Sequence, residues 1–281
     1  MRVVVVGIIR DGERYIKSEV EHLHRVFSHI GDVEFFCVES DSSDETVTVL
    51  TSIAAAHDWF TFDALGNIRD SIPERTERLA HCRNRYRVEV IARDLADTDL
   101  VVVADLDRMN ELLDPNVIRR VINEGKWDVL AANQRGPYYD IWALRHPELS
   151  PNDYTHTMAA LRDHGVGFVM SAVRSLYSRM ITIPPTSERL RVQSAFGGLA
   201  IYRPWVFSVS EYCAYDTAGR VVVEHAPFHI GADAAGAAIY LEPRLINTGK
   251  TEHTSIPRIL VAMARRGLRR VKNTRKSTND D

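Results

Sequence analysis

Cysteine and long apolar runs are scarce in this sequence. Its 281 residues contain three cysteines, Cys37, Cys82 and Cys213, which are odd in number and far apart. This spacing excludes a framework of several disulfides and a CxxC zinc site, and it suits a reducing compartment such as the cytoplasm. No apolar run approaches the roughly 20 residues that span a bilayer. No internal repeat of the kind that builds solenoids occurs.

The composition is that of a globular protein, with 45% hydrophobic and 26% charged residues. The apolar run Val3–Ile9 is short and leads directly into Arg10 and Asp11, so we interpret it as a buried strand and not as a signal peptide. We expect one continuous unit over residues 1–255, with halves at about 1–133 and 134–255. A basic tail over residues 256–281 follows it.

Strands and helices alternate along the first half. Apolar runs at Val3–Ile9, Val33–Val38, Trp59–Phe62 and Leu100–Ala104 are separated by segments with helical spacing of apolar residues. This order predicts an α/β fold with a doubly wound, mostly parallel sheet and helices on both faces. Ligands of such sheets bind beyond the carboxyl ends of the strands, whereas the irregular, proline-containing stretch from Gly136 to Ser194 suggests further binding loops.

Asp105 and Asp107 are the strongest candidates for a metal site. They follow the apolar run Leu100–Ala104 directly, and alternation along an extended chain puts both carboxylates on one face and Leu106 on the other. Carboxylate oxygens suit Mg²⁺ or Mn²⁺. The pair Asp97 and Asp99 has the same spacing but precedes the strand, at the wrong end for a site. The alternative for Asp105 and Asp107 is a solvated turn.

Polar residues after the first two strands form a second group of candidates. Glu39, Asp41 and Asp44 could accept hydrogen bonds from a ligand, although capping of the next helix explains Asp44 equally well. Arg10 follows the first strand. Arg83 lies on the helix before the metal strand and suits a phosphate or a carboxylate, with a solvated basic face as the alternative.

The second half adds candidates of other kinds. Gly197 and Gly198 open an apolar strand and allow either close backbone approach to a ligand or a tight bend. Asp140 lies among aromatic residues that could stack on a sugar ring. The run Val221–Val223 resembles another strand, and the residues that follow it suit acid/base chemistry or metal binding, with buried structural histidines as the alternative. These residues are Glu224, His225 and His229.

The order of the motifs resembles the donor half of GT-A glycosyltransferases. The shared elements are the strand and acidic loop ending in Glu39–Asp44, the Cys82-Arg83-Asn84-Arg85 helix, and Val101–Asp107. Farther along, three segments resemble the fungal capsule-associated α-1,3-mannosyltransferase family, namely residues 138–142, 195–202 and 224–229. The resemblance covers most of residues 1–250, although the fungal proteins resemble membrane-anchored secretory enzymes and this sequence shows no anchor.

The resemblance implies transfer of a sugar, with mannose as one candidate, from a GDP- or UDP-sugar to a saccharide or lipid-linked acceptor. It implies Mn²⁺ or Mg²⁺ on Asp105 and Asp107, and His229 is our preferred third ligand ahead of His225. Retention and inversion of configuration both stay open. Acid/base or acceptor roles fall to Glu224, His225 and Asp140. Donor contacts fall to Arg10, Glu39, Asp41, Asp44, Arg83, Asp105, Gly197 and Gly198.

Two other functions remain open on the sequence. A nucleotidyltransferase that makes a nucleotide sugar shares the sheet and the acidic pair, but it normally begins with a glycine-rich basic loop that Gly7–Gly12 does not provide. A non-catalytic protein that binds nucleotide sugars would keep the site without turnover.

The tail carries eight basic residues between Arg258 and Lys276, together with an approximate apolar stripe that includes Leu260 and Met263. Such a basic amphipathic segment suits the anionic inner face of a membrane, with a solvated tail as the alternative. Nucleic acid is not an expected partner, because no recognition motif accompanies the charge.

Overall fold

The computed structural model describes residues 1–249, so the predicted basic tail lies outside the described residues. The chain alternates strands and helices up to Gln134, and the order of elements is less regular after it. The strands are β1 Arg2–Ile9, β2 Asp32–Glu39, β3 Phe60–Ala64, β4 Leu100–Ala104, β5 Val129–Gln134, β6 Leu190–Arg191, β7 Leu199–Tyr202 and β8 Ile239–Thr248. The helices are α1 Ile16–Ser28, α2 Thr46–Ala56, α3 Arg75–Ala92, α4 Pro115–Asn123, α5 Tyr154–Asp163, α6 Phe168–Ser175, α7 Val206–Val209 and α8 His225–Ala234.

All eight strands form one sheet in the order β3-β2-β1-β4-β7-β5-β8-β6. Strands β1 to β4 pair in parallel, as predicted. Strand β7 enters between β4 and β5 and runs antiparallel to both, whereas β5 and β8 are parallel. The predicted mostly parallel sheet is confirmed, and β7 brings the residues that precede it to the carboxyl end of β4.

Helices cover both faces of the sheet, which confirms the predicted layers. Alternate residues of β1 show this: Val4 and Val6 face a core that includes Tyr86 of α3, while Val3 and Val5 face one that includes Leu23 of α1. Burial on both faces explains why the parallel strands are continuously apolar instead of alternating. No helix within residues 1–249 has the length and apolar character needed to cross a bilayer.

The run Val221–Val223 is not a strand, which corrects the sequence-based interpretation. It forms only an isolated bridge between Val221 and Tyr215, and helix α8 begins at His225. Val222 is buried in the core, so its apolar character reflects packing in a loop. Glu224 therefore lies at the start of a helix and not at a strand end.

Candidate active site

A pocket of about 510 Å³ lies at the carboxyl ends of β1, β2 and β4. The structure brings together in its lining most of the predicted site residues. These are Arg10, Asp41, Arg83, Asp105, Asp107, Asp140, Glu224 and His225. We call the part formed by Arg10, Asp41, Arg78, Asp105 and Asp107 the strand side. We call the part formed by Tyr139, Asp140, Trp142, Phe196, Glu224 and His225 the loop side.

Hydrogen bonds to the backbone of Asp105 hold the Asp105–Asp107 segment in place. The Asp105 amide donates to the carbonyl of Gly198 at 2.8 Å, and the Asn110 side chain donates to the Asp105 carbonyl at 2.8 Å. Leu106 is buried in the core against Gly7, where an added Cβ would lie 2.7 Å from the Leu106 side chain. The alternation predicted from the sequence thus has a packing cause, because Leu106 anchors the turn while both aspartates line the pocket.

Electrostatics at this turn favours a cation. Burial and, to a smaller extent, the neighbouring carboxylates of Asp107 and Asp140 raise the pKa of Asp105 to about 7, against the lowering effect of Arg83. A divalent cation would relieve this repulsion, and carboxylate oxygens are its preferred ligands. The residues present therefore fit a Mg²⁺ or Mn²⁺ ion.

Arg83 connects the two sides of the pocket. Its guanidinium, which α3 carries into the protein interior, donates from Nε to Glu224 Oε1 at 2.7 Å. It also donates to Asp105 Oδ1 at 3.3 Å and to the Tyr86 hydroxyl at 3.2 Å. The sequence predicted a phosphate or a carboxylate as the partner of Arg83. In the structure its guanidinium is hydrogen-bonded to two carboxylates, those of Glu224 and Asp105. A planar, permanently charged fork suits this double role better than a lysine would.

Glu224 and His225 present unpartnered polar atoms at the loop side. Glu224 is 1% exposed, and its Oε2 has no hydrogen-bond partner within the described part of the chain. Both His225 ring nitrogens also lack partners there, while the ring stacks on Phe196 with centroids 3.8 Å apart. Burial, with further contributions from Arg83 and His229, lowers the His225 pKa well below its ordinary value, so this imidazole is neutral.

His229 lies one helical turn farther along α8 and is completely buried. Its Nδ1 contacts Ser194 Oγ at 3.1 Å, and its Nε2 contacts the Tyr202 hydroxyl at 2.9 Å. Burial and then Arg83 lower its pKa to about 3. Because both ring nitrogens are engaged and the residue does not line the pocket, this geometry does not fit the role of third metal ligand.

Within residues 1–249, no group of three or more histidine, cysteine, aspartate or glutamate side chains is arranged to hold a metal ion. Of the described residues, Asp105 and Asp107 are therefore the two carboxylates that fit a cation, and substrate or water would complete its coordination. Such a site keeps open positions, as catalytic magnesium sites do.

Asp140 stabilises the backbone of the loop side through hydrogen bonds. Its Oδ2 accepts from the Gly197 amide at 2.9 Å and its Oδ1 from the Ala143 amide at 3.3 Å. Gly197 has a φ of +71° and lies so close to β5 that a Cβ would meet the Ala132 carbonyl at 2.5 Å. Gly197 and Gly198 do not line the pocket, and the tight bend considered from sequence explains Gly197.

Two of the predicted donor residues shape loops instead of lining the main pocket. Glu39 Oε1 accepts from the Ser42 amide at 2.9 Å, and Asp44 accepts from the amides of Glu13 at 3.1 Å and Thr46 at 3.0 Å. Asp44 lines a separate, smaller hollow. Asp41 does line the main pocket, where it accepts from the Arg69 amide at 2.9 Å.

No protein-family model matches the sequence, and no curated protein matches it. Among solved structures, S. aureus TarS (residues 1–349) in complex with UDP-GlcNAc superposes with a TM-score of 0.51 at 15% identity, over 91% of this chain and 61% of that one. Mannosyltransferase PcManGT from Pyrobaculum calidifontis, in complex with GDP-Man and Mn²⁺, gives a TM-score of 0.49 at 12% identity, over 88% of this chain and 56% of that one. This chain therefore spans about three fifths of the length of these two proteins.

The fold is of the GT-A type. This conclusion rests on the superposition with TarS, which has a TM-score of 0.51 and covers 91% of this chain. Mycobacterium tuberculosis glucosyl-3-phosphoglycerate synthase, in complex with Mn²⁺, UDP and phosphoglyceric acid, gives a TM-score of 0.40 at 16% identity, over 88% of this chain and 67% of that one. The identities are low, so the likeness establishes the fold alone.

The GT-A pocket also contains residues that sequence analysis missed. Arg75 and Arg78, at the start of α3, line it, as does Tyr15. Arg78 donates to the carbonyls of Ile72 and Pro73, both at 2.7 Å, and approaches Asp41 at 3.6 Å. In sequence these arginines resemble any basic helix start. The one sequence feature that sets them apart is that they precede Arg83 on the same helix.

Proposed function

We propose that this chain transfers a sugar from a nucleoside-diphosphate sugar to an acceptor hydroxyl, with a divalent cation held by Asp105 and Asp107. One observation carries the proposal. Buried Arg83 ties Asp105, on the strand side, to Glu224, on the loop side. A single pocket thus contains a candidate cation site and a candidate general base in fixed relation.

The strand side would hold the donor. A bound Mn²⁺ or Mg²⁺ would neutralise the charge that develops on the diphosphate as the sugar bond breaks. Arg10, Arg75 and Arg78 add positive charge to the same pocket and suit phosphate oxygens. Asp41, on the loop after β2, suits the hydroxyls of the nucleoside. The resemblance to fungal mannosyltransferases makes GDP-mannose the donor to test first.

The loop side would hold the acceptor. Glu224 Oε1 is anchored on Arg83, which leaves the unpartnered Oε2 to take the proton of the acceptor hydroxyl. The acceptor oxygen bonds to the anomeric carbon, the bond from that carbon to phosphate breaks, and the nucleoside diphosphate leaves with the electron pair. A single displacement of this kind inverts the anomeric configuration. Neutral His225 and Trp142 would orient the acceptor sugar.

A donor screen tests the proposal. GDP-mannose, UDP-glucose and UDP-GlcNAc are incubated with the protein and Mn²⁺, and free nucleoside diphosphate is measured with and without EDTA. We expect at least one donor to be hydrolysed, and we expect EDTA to abolish this hydrolysis. Donor binding without turnover would favour the non-catalytic alternative. Release of pyrophosphate from a nucleoside triphosphate and a sugar 1-phosphate would favour the nucleotidyltransferase.

A further inference from the structure

The turn that carries Asp105 and Asp107 continues into strained backbone. Arg108, the next residue, has a φ of +70°, in the left-handed region that residues with a Cβ seldom occupy. Backbone of this kind persists only where surrounding contacts determine it. The fold must therefore hold residues 105–110 in a conformation that the free chain would not favour.

Asn110 closes this turn from inside the protein. Its side chain is 0% exposed, and its Nδ2 donates to the Asp105 carbonyl at 2.8 Å and to Glu19 Oε1 at 2.9 Å. The first bond joins the two ends of the turn. The second fixes the amide group itself, because an amide nitrogen has two hydrogens to donate. Asn110 does not line the pocket, so a direct contact with a ligand does not explain these bonds.

Helix α1 supplies the other half of this contact. Glu19 is 6% exposed and does not line the pocket. A buried carboxylate is costly unless it is hydrogen-bonded, so its place behind an acidic turn needs a reason. Three residues farther along α1, His22 Nε2 contacts the Asn110 carbonyl at 3.0 Å. Residues three apart lie on one helix face, so α1 holds both the side chain and the backbone of Asn110.

We propose that Asn110 and Glu19 are positioning residues for the cation site of Asp105 and Asp107. Glu19 orients the Asn110 amide, and the amide fixes the Asp105 carbonyl. The turn thereby keeps the conformation in which both aspartates line the pocket. Neither positioning residue would touch the ion, and groups that support metal ligands in this way commonly tune metal affinity. The inference rests on the proposed function, because it presupposes a divalent cation at Asp105 and Asp107.

A matched pair of variants tests the role of Asn110. Asn110→Ala removes both side-chain bonds, and Asn133→Ala is its control. Asn133 is also 0% exposed, and its Nδ2 likewise donates to two backbone carbonyls, those of Ile183 at 2.9 Å and Pro243 at 3.0 Å. Mn²⁺ binding to the full chain is titrated by electron paramagnetic resonance with GDP or UDP present, and urea unfolding is measured in parallel.

Both asparagine variants should lose unfolding free energy to a similar extent, because each removes a buried amide that bonds twice. Only Asn110→Ala should bind Mn²⁺ more weakly, by about ten-fold, the lower end of the loss known for groups that support metal ligands. Asn133→Ala should match the Mn²⁺ affinity of wild type, since it leaves the turn intact.

A second pair of variants separates the hydrogen bond of Glu19 from its charge. Glu19→Gln keeps a side-chain oxygen that can accept from Asn110, so its Mn²⁺ affinity should match that of wild type. Glu19→Ala removes the acceptor and should weaken Mn²⁺ binding in the same direction as Asn110→Ala. Because both variants retain Asn110, they test the inference even if Asn110→Ala fails to fold.

Equal Mn²⁺ affinity in Asn110→Ala and wild type would overturn the inference. So would an equal loss in Asn133→Ala, because affinity would then follow stability instead of the turn. Glu19→Gln that binds as weakly as Glu19→Ala would show that charge acts in place of positioning. Wild type binds Mn²⁺ in all these outcomes, so they leave the proposed function intact. No Mn²⁺ binding by wild type would defeat the proposed function and this inference with it.

Discussion

The two sides of the pocket differ in how their polar atoms are satisfied. On the strand side, Asp41 accepts from the Arg69 amide and Asp105 accepts from Arg83. On the loop side, within residues 1–249, Trp142 Nε1, Glu224 Oε2 and both nitrogens of His225 are buried without hydrogen-bond partners. The strand side is ordered by bonds within the protein, whereas the loop side has atoms that a ligand would satisfy.

This difference has an energetic meaning. Each buried polar atom without a partner costs about 1–3 kcal/mol, so such atoms at a pocket wall point to a ligand with hydroxyl groups. The strand side has the opposite problem, since burial and then the neighbouring carboxylates raise the pKa of Asp105. A bound cation would relieve this cost. Variants on each side of the pocket separate these two requirements.

The largest expected effect is on the strand side. Asp107→Asn should reduce donor hydrolysis on the order of 10³-fold, because a lost metal ligand removes several kcal/mol of transition-state stabilisation. Steady-state rates at saturating Mn²⁺ measure this, with circular dichroism to confirm folding. Asp97→Asn is the matched control, since it alters an exposed aspartate of the same spacing at the other end of β4. Equal rates in the two variants would refute the metal assignment.

Glu224→Gln tests the loop side. It keeps the shape and an oxygen for Arg83 but removes the proton acceptor, so turnover should fall roughly 10²- to 10³-fold, within the range of general base catalysis. The dissociation constant of the donor should stay unchanged, because we place the donor on the strand side. Exposed Glu211→Gln serves as the control. A drop in donor affinity equal to the drop in rate would remove the distinction between the two sides.

Arg83→Met tests the connection between the sides. It leaves the buried Glu224 carboxylate without its ion pair, which should cost about 3 kcal/mol of unfolding free energy. Arg85→Met breaks a pair with Asp63 in which each side chain is 35% exposed, and should cost less than about 1 kcal/mol. Urea unfolding of both variants measures the difference. Similar small losses would mean that Arg83 does not support the Glu224 side chain.

The smallest effect concerns pH. The folded-state pKa of Asp105, about 7, lies above its unfolded value, so the folded protein binds this proton more tightly. The contribution of Asp105 to stability should therefore fall as pH rises toward 7 and level off above it. Since a cation competes with the same proton, Mn²⁺ affinity should rise about ten-fold per pH unit up to 7. Calorimetric titration measures this slope, and an Asp105→Asn variant should lack it.

The strand side could be predicted from sequence because its causes are local. The apolar runs of β1, β2 and β4 and the alternation of Asp105, Leu106 and Asp107 are all readable within a few residues. The parallel arrangement then brings the strand ends together. Residues that face the pocket from the start of a helix, such as Arg75 and Arg78 of α3, have no comparable local signature.

The loop side could not be predicted in the same way because its causes are long-range. The ion pair of Arg83 and Glu224 joins residues 141 positions apart. Only the antiparallel entry of β7 beside β4 brings Gly198 to Asp105. His225 and His229 lie four residues apart on one helix face, so spacing alone does not tell which one reaches the pocket and which one packs against Tyr202.

The central claim is that Asp105 and Asp107 hold a divalent cation for a nucleoside-diphosphate sugar. A titration of Mn²⁺, followed by electron paramagnetic resonance with GDP or UDP present, tests it most directly. Wild type and Asp97→Asn should bind a single Mn²⁺ together with the nucleotide. Asp107→Asn should bind it at least about 10- to 100-fold more weakly, the loss known even for outer-shell partners of metals. Indistinguishable Mn²⁺ binding by all three proteins would contradict the account.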